Sequence, residues 1–206
     1  MTRPVLTHYF DYKSSYAYLA QEATFALAEQ YDIELVLVPY TIDIPGYLGS
    51  ARVDAAGNVL EEQRNAHQWR RVRYMYMDCR REANRRGLTI RGTHKIFDSA
   101  IANIGYLHAR RQGDFRPYHD RVFERFWKRE LDIEDPRAIA AVLDESGLDG
   151  RGFADFLAGP GREEYDRLQA EAIAAGVFGI PSYVFDGELF WGAERLPRVR
   201  ERLMSR

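Results

Sequence analysis

Apolar positions run in continuous stretches at the two ends of the chain and recur at helical spacing between them. Val5–Phe10 is short, apolar and aromatic, which predicts a buried strand. Ser14 and Ser15 follow, with hydroxyls suited to capping a helix. The next segment sets Tyr18, Leu19, Phe25 and Leu27 among alanines and ends near Gln30. Residues 33–40 are again apolar almost throughout, as expected of a strand covered on both faces. The opening therefore reads as strand–helix–strand with parallel strands.

Pro45-Gly46 breaks this pattern, and residues 51–57 read as a polar loop. From residue 61 the spacing is helical, with segments predicted over 61–86, 98–111, 117–128, 136–145 and 152–157. Arg86-Gly87 and Gln112-Gly113 supply stops, and Asp135-Pro136 supplies a start. Between Pro45 and Gly159 the pattern predicts no strand. A helix over 163–175 follows, stopped by Gly176. Ser182–Phe185 and Glu188–Trp191 flank Asp186-Gly187, a strong hairpin signal. A last helix runs through Met204, with Pro197 tolerable in its first turn. Neither terminal piece can bury a sheet alone, so the two are expected to join into one four-stranded sheet covered by helices.

Composition narrows the function. The 206 residues are 46% hydrophobic and carry a net charge of −2, so no bulk field draws nucleic acid or an anionic membrane. The basic clusters at residues 70–73 and 80–86 read as solvated helix faces. The single cysteine, Cys79, has no internal disulfide partner and reads as a small buried residue. Met1-Thr2-Arg3-Pro4 begins without an apolar signal core, and no apolar run is long enough to span a bilayer, which predicts a cytoplasmic protein. The five histidines are scattered without metal-ligand spacing. His94-Lys95 is read as an exposed loop, and Trp69, Tyr74 and Tyr76 as core of the helical segment.

Two places can carry chemistry. Ser14 stands where the first strand meets the first helix, and a helix N-terminus favours an anion through its unpaired N–H groups. On local grounds alone Ser14 is more readily read as an N-cap, and both readings hold together if Ser15 does the capping. Ile180-Pro181 precedes a strand, where the backbone of residue 180 can pair with an extended peptide. Past the hairpin, Gly192-Ala193-Glu194 opens the last helix. Glu194 there either complements the helix dipole or contacts a ligand.

Phe10-Asp11-Tyr12-Lys13-Ser14-Ser15-Tyr16-Ala17-Tyr18-Leu19-Ala20 and Gly176-Val177-Phe178-Gly179-Ile180-Pro181, together with Asp186-Gly187-Glu188-Leu189-Phe190-Trp191-Gly192-Ala193-Glu194-Arg195, carry a family likeness. The chain resembles the 2-hydroxychromene-2-carboxylate isomerase family, which sits beside the kappa-class glutathione transferases and the DsbA-type disulfide oxidoreductases. The resemblance implies an α/β, thioredoxin-like fold with an inserted all-helical domain. Residues 1–43 and 160–206 would form the thioredoxin-like part, and 44–159 the insertion. It further implies a cis bond before Pro181 and glutathione as the cofactor. Ser14 and Ala17 stand where a Cys-x-x-Cys pair would stand, so the sulfur must be borrowed and disulfide exchange is not expected. In such a site Ser14 stabilises the glutathione thiolate, Ile180 beside Pro181 pairs with the cysteinyl backbone, and Ala193 and Glu194 hold the γ-glutamyl group. The expected partners are glutathione and a small aromatic or conjugated electrophile, with a homodimer as the common assembly. Isomerase is the first reading. Kappa-class-like transferase, or a thiol- or peptide-binding protein without redox activity, are the alternatives.

Overall fold

The computed structural model describes residues 3–54 and 56–205. Met1 and Thr2, at the start read for a signal segment, and Arg206 lie outside the described residues, as does Ala55 within the 51–57 segment. Strand β1 (Val5–Phe10) leads into helix α1 (Ser15–Gln30) and returns as β2 (Glu34–Pro39). The strands pair in parallel, with Leu6 opposite Leu35 and Phe10 opposite Pro39. At the other end of the chain β5 (Ser182–Phe185) and β6 (Glu188–Trp191) form the expected hairpin, and β5 lies antiparallel to β1. The sheet order is β2-β1-β5-β6, so the two ends of the sequence become central neighbours.

Between them lie α2 (Ile44–Leu48), α3 (Ala66–Arg85), α4 (Ala100–Gln112), α5 (Arg116–Trp127), α6 (Pro136–Glu145), α7 (Phe153–Ala158) and α8 (Pro160–Ala174). After β6 a single 3-10 turn, Ala193–Arg195, precedes α9 (Leu196–Met204). The segment read as a loop at 51–57 differs. It contributes β3 (Ala51–Val53), which pairs antiparallel with β4 (Val59–Glu62). All four β4 residues are exposed. Strand β4 therefore lacks the buried face that marks a strand by apolar alternation, β3 alternates over only three residues, and the insertion is helical apart from this ribbon.

Helix α3 starts at Ala66, five residues later than the periodicity suggests. Asn65 and Gln68 form a reciprocal capping box there, each side chain accepting the other's backbone N–H at 2.9 Å. Two cores hold the molecule. The smaller packs Leu6, Ile33, Tyr183 and Phe185 of the sheet region against Leu27 of α1 and Leu196 and Val199 of α9. The larger runs without a break from Phe10 and Leu37 through Tyr12 into Tyr106, Tyr118, Phe123, Trp127 and Leu143 of the insertion. Gly105 on α4 permits this packing. A Cβ there would fall 2.1 Å from the Tyr118 hydroxyl and 2.7 Å from Ile139.

Candidate active site

Ser14 ends the turn between β1 and α1, and its dihedrals (φ −92°, ψ 111°) are those of an N-cap. Its Oγ accepts the Ala17 N–H at 3.2 Å and donates to the Ile180 carbonyl at 3.4 Å. The second contact spans 166 residues of sequence and is long for an O–H···O bond, so the hydroxyl hydrogen is only weakly held. The Ile180–Pro181 bond is cis, as expected. Among the described residues the Ile180 N–H meets no hydrogen-bond partner. The two landmarks at opposite ends of the chain thus face each other across one crevice.

Capping falls to Ser14 alone. Ser15 turns away, and its Oγ lies 3.1 Å from the Cys79 sulfur. Cys79 is buried, as read from the sequence, yet it packs directly beneath the start of α1. Burial pushes its thiol pKa up, so it is held in the unreactive protonated form. Tyr16, next in sequence, donates to Asp78 Oδ2 at 3.2 Å. Burial, with Asp78 and Cys79 close by, raises its phenol pKa as well.

The crevice opens into a cavity of about 720 Å³ that Ser14 and Ile180 line together. Ile42, Tyr47 and Leu48 come from the segment after β2, Trp69, Met75 and Tyr76 from α3, and Phe97 and Trp127 from further along the insertion. Trp69 and Tyr76 therefore wall the cavity, Tyr76 also packing against the main core as read, whereas Tyr74 is exposed. His94 is exposed in a loop, as read, and Lys95 is half-buried beside it, yet both line the cavity, where the Val53 N–H binds the His94 carbonyl at 2.8 Å. Part of each basic cluster faces the same space. Arg73, Arg80 and Arg81 line it, alongside Lys13, Arg64 and Lys95, and no aspartate or glutamate among the described residues does. The cavity is consequently electropositive in a chain of net charge −2.

Pro181, Ala193 and Glu194 are not among the lining residues. The Pro181 carbonyl accepts the Gly192 N–H at 2.9 Å, which ties the cis bond to the turn after β6. Ala193 and Glu194 sit in that 3-10 turn, not in the first turn of α9, and the Glu194 carboxylate folds back over Gly192. Gly192 has φ 96°, a conformation glycine adopts freely. Gly179 is equally constrained, since a Cβ there would lie 2.5 Å from the Trp191 indole nitrogen.

A profile described as the DSBA-like thioredoxin domain matches residues 5–204. The chain belongs to the DSBA-like thioredoxin domain family. Within reach of this DSBA-like chain is the 2-hydroxychromene-2-carboxylate isomerase of Sphingobium xenophagum, 28% identical over 202 residues and covering 96% of each chain. A solved 2-hydroxychromene-2-carboxylate isomerase superposes with a TM-score of 0.71 at 25% identity, covering 98% of this chain and 95% of the other. The cytosolic disulfide reductase DsbM of Pseudomonas aeruginosa, in its structure with GSH, superposes with a TM-score of 0.63 at 19% identity, over 98% and 96% of the two chains. That last likeness is one of fold. The DSBA-like chain departs from a dithiol chemistry in having one cysteine, buried under α1. No helix among its described residues is long and apolar enough to cross a membrane.

The sequence pointed to Ser14 and Ile180 but not to Lys13, Arg64 or the cavity face of α3. Lys13 had a local signal, since it and Asp11 are the two charged residues of the strand-to-helix junction.

Proposed function

We propose that this chain is a glutathione-dependent isomerase acting on a conjugated intermediate of aromatic catabolism, with Ser14 stabilising the thiolate. Relatives carrying the isomerase name over nearly the whole chain support the reaction class. The observation that carries the reading is the meeting of the Ser14 hydroxyl with the Ile180 backbone on the wall of an electropositive, largely apolar cavity.

The residues fit a small thiol peptide. The Ile180 N–H and C=O offer one rung of strand pairing to its cysteinyl unit. The start of α1 offers unpaired N–H groups and partial positive charge to its sulfur, and no acidic residue in the first turn opposes this. Ser14 needs only to turn its hydrogen from the Ile180 carbonyl toward the sulfur. A hydrogen bond to a charged acceptor is worth about 1.5–3 kcal/mol, which corresponds to roughly one to two pKa units. A thiol near ~8.5 would thereby approach neutrality and become substantially ionised. When bound, glutathione supplies a sulfur nucleophile that adds to a conjugated bond, permits its rotation and departs. Ala193 and Glu194 remain the proposed contacts for the γ-glutamyl group. The cations around the cavity favour an electrophile that bears a carboxylate.

Thiolate ultraviolet absorbance tests the reading. Titration of the protein with glutathione at neutral pH should raise this absorbance, and Ser14→Ala should reduce it about tenfold at equal occupancy. Binding with no thiolate signal, or none at millimolar glutathione, would remove the basis for the proposal.

A further inference from the structure

Lys13 immediately precedes Ser14, and its side chain is only 7% exposed. It lines the cavity. A buried ammonium needs compensation, through a counter-charge and acceptors for its three N–H bonds. Its nearest carboxylate is Asp11, with Nζ 3.9 Å from Oδ2, close enough for Coulomb attraction but too far for a hydrogen bond. Asp11 is itself engaged elsewhere. Its Oδ2 accepts the Ile42 N–H at 2.9 Å and its Oδ1 the Lys13 N–H at 3.3 Å. Among the described residues, no acceptor lies within hydrogen-bonding distance of Lys13 Nζ.

The other cations of the cavity are differently placed. Arg64 Nε donates to the Leu48 and Gly49 carbonyls, Arg80 Nε to the Ile90 carbonyl, and Lys95 pairs with Glu134. Arg73 and Arg81 are exposed to solvent, where their charge is screened. Lys13 alone among them is buried, unbonded at its nitrogen and adjacent in sequence to Ser14.

We propose that Lys13 Nζ forms an oxyanion subsite of this cavity, which takes the carbonyl oxygen of a conjugated aromatic ketone or aldehyde. As a catalytic role this rests on the isomerase reading above, whereas the subsite itself does not. When a nucleophile adds to the far carbon of such a substrate, one carbon–nucleophile bond forms and the double-bond pair shifts. Negative charge then arrives on the carbonyl oxygen as an enolate. The former double bond is now single and can rotate. Expulsion of the nucleophile returns the pair, re-forms the double bond and discharges the oxygen, so no atom, proton or electron is gained or lost. A fixed ammonium interacts more strongly with the enolate than with the neutral carbonyl, which lowers the barrier rather than merely tightening binding. Asp11 is the positioning residue. It attracts the ammonium without occupying its donors.

para-Nitrophenol is a direct probe, because its phenolate localises charge on one oxygen and absorbs visible light. Bound to the protein in the absence of glutathione, it should ionise at a pH lower by about one unit or more than the free probe. In Lys13→Met this shift should vanish, with phenolate binding weakened about tenfold or more. That substitution strands Asp11 as a buried unpaired carboxylate and can prevent folding. Asp11→Asn combined with Lys13→Met removes both charges and should lose the shift in the same way. An unchanged shift in either variant, or no binding of the probe by the unaltered protein at millimolar concentration, would overturn the subsite. The thiolate titration with Ser14→Ala contains no probe, so failure of the glutathione reading and failure of the subsite are seen separately.

Discussion

His8 lies on β1 with both ring nitrogens buried and unbonded among the described residues, its ring stacked 4.8 Å from that of Tyr183. His119 on α5 bonds Tyr12 through Nδ1 at 3.1 Å, and its Nε2 is buried without a partner. Burial lowers the His8 pKa to about 3 and, with His8 and Arg116 nearby, holds that of His119 well below the usual imidazole range. Both rings are therefore neutral in the folded protein at neutral pH, while the unfolded chain takes up protons near ~6.5. Below that pH the unfolded state binds more protons, so stability rises with pH through the window and is lost as pH falls. Each ring should cost about 1.4 kcal/mol of stability per pH unit below ~6.5. Urea midpoints should be level above neutrality and decline toward pH of about 5, with a visibly shallower decline in His8→Phe. Parallel acid limbs in the two proteins would show that burial of His8 is not the cause. The same residue scale explains why Ser14 serves two ends. Its hydroxyl satisfies the Ala17 N–H as a cap, worth about 1 kcal/mol, while its hydrogen stays available to the crevice.

The crossing of α4 and α5 depends on the missing side chain at Gly105. Tyr118 cannot swing aside, because it is fully buried and its hydroxyl donates to the Ala102 carbonyl at 2.9 Å. Gly105→Ala should therefore destabilise by about 1–3 kcal/mol despite the better helix propensity of alanine, and a urea midpoint equal to or above that of the parent would refute the packing argument. Elements with a strong internal signal were legible in the sequence. Val5–Phe10, Pro136–Glu145, Ser182–Phe185 and Glu188–Trp191 have the predicted limits, since apolar runs, Asp-Pro and Asp-Gly mark them locally. The β3–β4 ribbon was not legible, because β4 buries no face, β3 is only three residues long with Ala51 and Val53 half-buried, and the turn is organised by Asp54 Oδ1, which accepts the Ala56 and Asn58 N–H groups at 2.9 and 2.8 Å. Helix α8 begins at Pro160, three residues before the apolar spacing suggests, with the proline at its first position. In the candidate site, Ser14 and Ile180 could be read from two compact motifs. Trp69, Tyr76 and the arginines of α3 could not, because which face of a long basic helix meets a cavity is decided by elements far away in the chain.

At the scale of the whole molecule, the insertion shares the main core with the thioredoxin-like sheet. Phe10, on a central strand, packs its ring 5.1 Å from Tyr106 of α4, 4.7 Å from His119 of α5 and 6.2 Å from Phe123, all within the insertion. Trp127, at the end of α5, is buried in the same continuous core and also reaches the cavity. A crevice walled by Ser14 and Ile180 on one side and by α3 on the other keeps its shape only if the two parts stay docked. This architecture predicts one cooperative transition rather than two. Phe10→Ala removes a ring from the junction itself and should cost about 3–5 kcal/mol. Although the substitution is in the sheet, it should move the unfolding midpoint read by tryptophan fluorescence, to which Trp69 and Trp127 contribute from the insertion. Far-ultraviolet circular dichroism, dominated by helices on both sides of the junction, should give the same lowered midpoint. If fluorescence kept its parent midpoint while dichroism split into two steps, the insertion would fold independently. The crevice would then be a joint between two bodies rather than a fixed site.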